Sequence, residues 1–173
     1  MIALSAALSL VKIWQMPLGG EVTLFSMVPI ILVAWISGAK WGIPAGFIFA
    51  LIRIAIDLPL LLGYGVSWGV LFGSFFLDYI IPFSVLGLVG LFSRKSEIWL
   101  YIGTFTVLLI RFVAHIASGV ILFASFSPWG NVWLYAVSYN GTFLLPELIL
   151  TMIGLILLMK TGAVKKMSGT ING

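Results

Sequence analysis

Residues 98–125 read IWLYIGTFTVLLIRFVAHIASGVILFAS. The run is long enough to cross the hydrocarbon core of a bilayer as one helix, which takes about 20 mostly apolar residues. Within it lie Arg111, the chain's only histidine, His115, and Gly119, each four residues from the next. Residues four apart share one stripe of a helix, so the guanidinium, the imidazole and the missing side chain face the same way. The segment therefore predicts a membrane helix and, on its polar stripe, a candidate site.

The whole chain has the composition of a membrane protein. Of its 173 residues, 62% are hydrophobic and 8% are charged, and that charged fraction is about a third of the fraction usual in soluble domains. Without cysteine and with one histidine, we expect no disulfide, no thiol chemistry and no zinc site. No basic stretch precedes the first apolar run, so we expect no cleavable signal peptide.

The sequence lacks the common catalytic motifs. It contains no phosphate-binding P-loop, no HExxH and no nucleophile elbow. We therefore expect that the chain is not an enzyme, has no catalytic residues and no cofactor, and does not hydrolyse ATP itself. The expected surroundings are the lipid bilayer, and no nucleic-acid partner is expected.

Six apolar segments predict one all-α integral membrane domain of six transmembrane helices over residues 1–173. The segments run roughly over 2–15, 23–37, 42–62, 68–92, 98–125 and 132–160. Turn-forming residues separate them, and no repeat or long linker divides the chain. The first two segments are short, and 23–37 could also be a tilted or partly re-entrant piece.

Basic residues are distributed unevenly over the connections. The breaks after segments two and four and the C-terminal tail hold Lys40, Arg94, Lys95, Lys160, Lys165 and Lys166. The breaks after segments one, three and five hold no lysine or arginine. Because cytoplasmic connections carry an excess of basic residues, both termini are predicted to be cytoplasmic in a bacterial plasma membrane.

Polar side chains from three of the helices are predicted to share one layer of the outer leaflet. Counted at about 1.5 Å per residue from the outer surface, Asp78 and His115 lie roughly 15 Å deep, and Tyr135 and Asn140 roughly 5 and 12 Å deep. This geometry predicts a pocket open to the outside. Its aromatic members are predicted to be Trp68, Tyr79, Phe123, Tyr135 and Tyr139.

The residue types in this layer indicate the ligand. A carboxylate among aromatic rings suits a flat, cationic, nitrogen-rich molecule, and His115 and Asn140 add directional hydrogen bonds. Gly119 would let a flat ring lie against the helix backbone. The alternative is a satisfied core histidine beside a glycine that only allows close helix packing.

Two further charge pairs are predicted at membrane depth. Arg53 and Asp57 are spaced i,i+4 on one helix, and Arg111 and Glu147 lie at a similar depth on two helices, about 20 Å from the outer side. We expect both to be structural ion pairs, although either pair could also belong to the site.

Four stretches together resemble the thiamine-specific S components of energy-coupling factor (ECF) transporters, the ThiT or YuaJ family. They are PLGGEVTLFSMVPI (17–30), FLDYIIPF (76–83), RFVAHIASGVILF (111–123) and WLYAVSYNGTFLLPE (133–147). The resemblance implies a six-helix protein that captures thiamine from outside and works with a membrane coupling subunit and two ATPase subunits.

The resemblance also implies roles for single residues. The family's thiamine contacts match Trp68, Asp78, Tyr79, His115, Gly119, Phe123, Tyr135 and Asn140. Its small-xxx-small pair, which docks on the coupling subunit, matches Ala3 and Ala7. Some members have Glu at Asp78, Trp at Phe123 and a Trp in the first loop, where this chain has GGEVT.

Two other functions remain open at the sequence level. The chain could be an S component for another small aromatic vitamin or precursor. It could also be a secondary transporter driven by protons through Asp78, His115 and Glu147. An intramembrane enzyme is disfavoured because no nucleophile–base pair or metal set is visible in the sequence.

Overall fold

A computed structural model of the chain describes residues 1–93, 96–164 and 167. Its helices are α1 (Ile2–Ser9), α2 (Val28–Ser37), α3 (Ala39–Gly63), α4 (Trp68–Phe92), α5 (Ile98–Ile121) and α6 (Val132–Lys160), and its strands are β1 (Lys12–Gln15) and β2 (Glu21–Thr23). The predicted all-α membrane fold with six helices is confirmed for the described part of the chain.

Helices α3 to α6 are long and apolar enough to cross a membrane. Helix α2 is shorter, and it lies in the core, with Ile30, Ile31 and Ala34 fully buried. It packs between α1, α3 and α4, which explains why its sequence has no polar face. The lipid-facing surface is formed mainly by the long helices, whose exposed residues are mostly large and apolar.

The first apolar segment is not one helix, as the expected bounds 2–15 implied. Helix α1 ends at Ser9, and Lys12–Gln15 pairs antiparallel with Glu21–Thr23 to form a β-hairpin. A turn of 3₁₀-helix at Pro17–Gly19 joins the two strands. The pairing sets Gln15 opposite Glu21, and an ion pair of 2.7 Å joins Lys12 to Glu21. The second segment, 23–37, begins at Thr23, the last residue of strand β2, and its helix starts only at Val28.

Helix α4 changes its winding along its length. Residues Phe75–Ile80 form a π-helical turn, in which the Ile81 amide donates to the carbonyl of Phe76, five residues earlier. Pro82 follows, and because it has no amide hydrogen it cannot bond the carbonyl of Asp78. A π-turn accommodates an additional residue, so side chains before it are rotated by roughly 100° relative to a regular helix.

The start of α3 and the end of α4 lie together at the end of the fold that the sequence predicts to be cytoplasmic. The end of α4 packs closely on the start of α3. A Cβ added at Gly90 would collide with the backbone of residues 38–39. Lys40 lies in the first turn of α3 and Lys160 ends α6, on the side opposite the hairpin that precedes α2. Arg94, Lys95, Lys165 and Lys166 lie outside the described residues.

We expect Gly90→Ala to destabilise the fold. Its Cβ would lie 2.7 Å from the carbonyl oxygen of Ala34 and closer still to the α3 backbone, and overpacking of this kind costs about 1–3 kcal/mol. Gly141→Ala, at a helical glycine with open space around it, is the matched control and should be neutral or stabilising. Thermal unfolding of the detergent-purified variants measures both. Equal midpoints would show that α3 and α4 are not closely packed.

Candidate functional site

A cavity opens between the β-hairpin and helices α3, α4, α5 and α6. The residues predicted to form the ligand site line it, except Trp68: Asp78, Tyr79, His115, Gly119, Phe123, Tyr135, Tyr139 and Asn140. The structure therefore brings together side chains that lie far apart in the sequence.

Trp68 does not belong to this cavity, contrary to the expectation from the sequence. Its side chain is 70% exposed at the outer end of α4, where its ring lies 6.3 Å from that of Phe72. The π-turn between Trp68 and Asp78 explains the difference, because it rotates the start of α4 away from the face that carries Asp78.

The Asp78 carboxylate is held by two side chains of α5. Its Oδ1 lies 3.0 Å from Nδ1 of His115, and its Oδ2 accepts a hydrogen bond of 2.6 Å from the Ser118 hydroxyl. Among the described residues, no lysine or arginine forms an ion pair with Asp78. The other ring nitrogen of His115, Nε2, is buried and has no hydrogen-bond partner among the described residues. The charge of Asp78 and the free Nε2 are thus the polar features that a ligand could complete.

Asn140 and Gly119 join α5 to α6 beside this cluster. The Asn140 side-chain amide donates to the carbonyl oxygens of His115, at 3.3 Å, and Ala136, at 2.9 Å. A Cβ on Gly119 would lie 3.0 Å from that of Ala136. Gly119 therefore allows the close packing of two helices, in addition to lining the cavity, and this agrees with the packing alternative for its role.

Aromatic side chains form one wall of the cavity. Tyr135, Tyr139 and Phe143 are spaced i,i+4 along α6, with ring centroids 5.8 and 6.0 Å apart. Phe143 also meets the His115 ring edge-on at 5.8 Å. Phe143 was not among the residues predicted from the sequence, although its spacing from Tyr139 indicated that it continues the same helix face.

The hairpin loop rests on tyrosine side chains at the mouth. The Tyr139 hydroxyl donates to the carbonyl of Pro17 and accepts from the Gly20 amide at 3.1 Å. Tyr64, just beyond α3, lies next to Gly19. Burial and, secondarily, the nearby Asp57 carboxylate raise the pKa of Tyr64, so this phenol is neutral at physiological pH.

The predicted pair of Arg53 and Asp57 is present and belongs to a larger network. Their side chains are 2.5 Å apart, and Arg53 also pairs with Glu21 of the hairpin. The Tyr79 hydroxyl donates to Asp57 at 3.2 Å. Glu21 was not predicted as a partner of Arg53, since nothing in the local sequence shows that strand β2 lies against α3. Both carboxylates of this network are neutralised by cations, unlike Asp78.

Arg111 and Glu147 do not form the predicted ion pair. Among the described residues, Glu147 accepts from the amide and the hydroxyl of Thr23, at 2.7 and 2.6 Å. The Arg111 guanidinium lies 4.3 Å above the Phe83 ring and contacts the Met27 sulfur. Strand β2 supplies the donors that Glu147 needs, and this explains why no direct pair is formed. Both side chains nevertheless line one small cavity, which shares Arg53 and Phe83 with the lining of the main one.

Comparison with known proteins identifies the family. A sequence profile of the family described as Thiamine transporter protein (Thia_YuaJ) matches residues 1–167. The chain is 34% identical to the thiamine transporter ThiT of Bacillus subtilis over 164 residues, covering 85% of this chain and 79% of that protein. It is 27% identical to the thiamine transporter ThiT of Lacticaseibacillus paracasei over 144 residues, covering 75% and 68%.

The chain therefore belongs to the thiamine transporter family, as its sequence resemblance indicated. The family is one of transporters rather than enzymes. Together with the four long apolar helices, this membership makes the chain a multi-pass protein of the bacterial plasma membrane.

Thr23→Val should destabilise the protein, because it removes one of the two donors to the buried Glu147 carboxylate. Hydrogen bonds to charged groups contribute about 1.5–3 kcal/mol, so the thermal midpoint should fall by several degrees. Thr23→Ser should retain most of the stability. Thr142→Val is the matched control, since its exposed hydroxyl bonds only the Ser138 carbonyl of its own helix. A Thr23→Val protein as stable as the control would show that the Thr23 hydroxyl does not help to anchor the hairpin on Glu147.

Proposed function

We propose that this member of the thiamine transporter family captures thiamine from the outer side of the membrane, as the substrate-binding S component of an ECF-type importer. The observation that carries the proposal is Asp78, a carboxylate that lines the cavity beside a wall of aromatic rings and that, among the described residues, pairs with no lysine or arginine. Thiamine is flat and carries both a positive charge and an amino-substituted ring, so it complements this arrangement.

The cavity offers the two kinds of contact that such a ligand needs. Tyr135, Tyr139 and Phe123 line it with π-faces, which favour stacked and cationic rings. Asp78 supplies the negative charge, and His115 lines the cavity with a buried Nε2 that has no bond to a described residue. Ligand binding would therefore satisfy a buried polar atom and neutralise an unpaired charge in one step.

Several of the site residues act through their neighbours in this proposal. The Tyr79 hydroxyl donates a hydrogen bond to Asp57. The Asn140 amide donates hydrogen bonds to backbone carbonyls of α5 and α6. Both residues shape and hold the cavity while their ring and side-chain surfaces line it. Gly119 contributes by letting α6 approach α5 closely.

Coupling to protons is less well supported. That alternative uses Asp78, His115 and Glu147 as a relay. Glu147 is not among the residues that line the main cavity, and its oxygen Oε1 is bonded by Thr23. Asp78 and His115 meet each other but not Glu147, so the three groups do not form one cluster.

The proposed partners are a membrane coupling subunit and two ATPase subunits. The sequence has no P-loop, so an ATP-driven import would need subunits that bind ATP. Ala3 and Ala7 are exposed on one face of α1, and small residues at this spacing allow a second helix to approach closely. We propose this face as the docking surface for the coupling subunit.

Asp78→Asn should weaken thiamine binding at least ~10-fold, because an amide cannot provide the charge-assisted contact or accept both present hydrogen bonds. Isothermal titration of the purified protein with thiamine and a panel of other vitamins measures the affinity. Trp68→Ala is the control and should change it less than about twofold, since Trp68 lies outside the cavity. Unchanged binding by Asp78→Asn would remove Asp78 from the site. A saturable response to another vitamin alone would refute thiamine as the ligand.

Ala3→Trp and Ala7→Trp should each leave thiamine binding intact but abolish ATP-dependent uptake, because a bulky ring would keep a partner helix away. Uptake of labelled thiamine is measured in cells that contain the complete transporter. Ala55→Trp, at an exposed alanine of α3, controls for a large residue on the lipid-facing surface and should transport normally. Normal uptake by both α1 variants would contradict the docking assignment.

A further inference from the structure

The hydroxyl of Ser118 donates its hydrogen bond to a side chain of a different helix, α4. Ser118 lies on α5, one turn after His115, with 1% of its surface exposed, and donates to Oδ2 of Asp78 at 2.6 Å. Serine hydroxyls within helices commonly bond a carbonyl of the preceding turn, as Ser74 does with the carbonyl of Leu71 at 2.8 Å. The bond from Ser118 to α4 is therefore a specific feature of the cavity rather than ordinary helix chemistry.

The hydrogen bond between Asp78 and His115 determines which ring nitrogen of His115 carries the proton. An ionised carboxylate only accepts hydrogen bonds, so Nδ1 of His115 must carry a proton to bond Oδ1 at 3.0 Å. In the neutral imidazole, Nε2 is then a lone-pair acceptor. This atom is buried without a partner on a side chain that lines the cavity. A ligand that completes it must present an N–H or O–H donor there.

We propose that Ser118 is a positioning residue that determines ligand specificity. By holding Oδ2, it keeps the Asp78 carboxylate turned so that Oδ1 meets Nδ1–H of His115, and Nε2 selects a heterocycle with an amino donor over one with a carbonyl. The tautomer rests on the geometry of Asp78, His115 and Ser118 alone. The identity of the selected ligand rests on the proposed function.

Without the hydroxyl of Ser118, the orientations of the Asp78 carboxylate and the His115 ring are no longer fixed. Oδ2 would be left without a protein donor, and the carboxylate could rotate to find one in the cavity or in the ligand. His115 could then turn either nitrogen toward Asp78. A site built to bond a donor strongly rejects ligands that lack it. Loss of Ser118 should therefore weaken the preference for a ligand with an amino donor, while the packing of the helices is largely kept.

The proton position can be measured directly, because His115 is the only histidine of the chain. Protein labelled with ¹⁵N-histidine gives ring nitrogen signals from this residue alone. The ¹⁵N shifts should show a neutral ring with its proton on Nδ1 in the unsubstituted protein and in Ser118→Thr, which keeps the hydroxyl. Ser118→Ala should show a mixture of tautomers. Ser74→Ala, which removes an equally buried hydroxyl outside the cavity, should match the unsubstituted protein.

Three spectral results would overturn the proposal: a proton on Nε2 in the unsubstituted protein, protons on both nitrogens, or a Ser118→Ala spectrum identical to that of Ser74→Ala. If the added methyl group of Ser118→Thr prevents folding, the comparison of the two alanine variants decides the question alone.

Specificity is tested by calorimetric titration with thiamine and with oxythiamine, in which a carbonyl replaces the amino group. The unsubstituted protein and Ser74→Ala should prefer thiamine at least ~100-fold, and Ser118→Ala should reduce that preference at least ~10-fold. Tight thiamine binding with an unchanged preference in Ser118→Ala would overturn the inference and leave the proposed function standing. No binding of thiamine by the unsubstituted protein would refute the proposed function, and the spectra would still decide the role of Ser118.

Discussion

Lipid supplies no hydrogen bonds, so an ionisable side chain at membrane depth must find partners within the protein or face a cavity. The fold of this chain depends on how it meets that constraint. Asp78 joins α4 to α5 through His115 and Ser118. Glu147 joins α6 to strand β2 through Thr23. Each carboxylate thereby fixes the relative position of two elements that apolar packing alone would leave free to slide. The same need for partners that holds the helices in register also brings the polar residues of the cavity together.

Much of the fold could be predicted from the sequence, because the bilayer makes hydropathy and length decisive. The bounds expected for α4 and α6, 68–92 and 132–160, agree with the structure. The β-hairpin could not be predicted in this way. Residues 10–15 are mostly apolar, and such a run favours a short helix as well as a strand. What decides is pairing with Glu21–Thr23 and the ion pair from Lys12 to Glu21, and these contacts form only when the loop closes.

The candidate site was predictable to the extent that depth determines it. Counting residues from the outer surface placed Asp78 and His115 in one layer, and the structure has them in contact. Direction around the helix was less predictable, because a π-turn changes the face on which a residue lies. Trp68 was misplaced for that reason. Ser118 was overlooked because a serine in an apolar helix usually bonds its own backbone, and only the approach of α4 gives it another acceptor.

The difference between the charge pairs follows from how far apart the partners lie in the sequence. Arg53 and Asp57 lie one turn apart on α3, so this helix can enter the bilayer with a neutral pair already formed. Glu21 is paired with a cation of the same hairpin, Lys12. The hairpin and α3 can therefore each form before they meet. The ion pair of Arg53 with Glu21 then joins two elements in which each charge already has a partner. Glu147 has no such local partner. Its two donors come from Thr23, at the end of β2, so its burial depends on the docked hairpin. Placement of the hairpin is thus required by a carboxylate deep in α6 as well as by the residues at the cavity mouth.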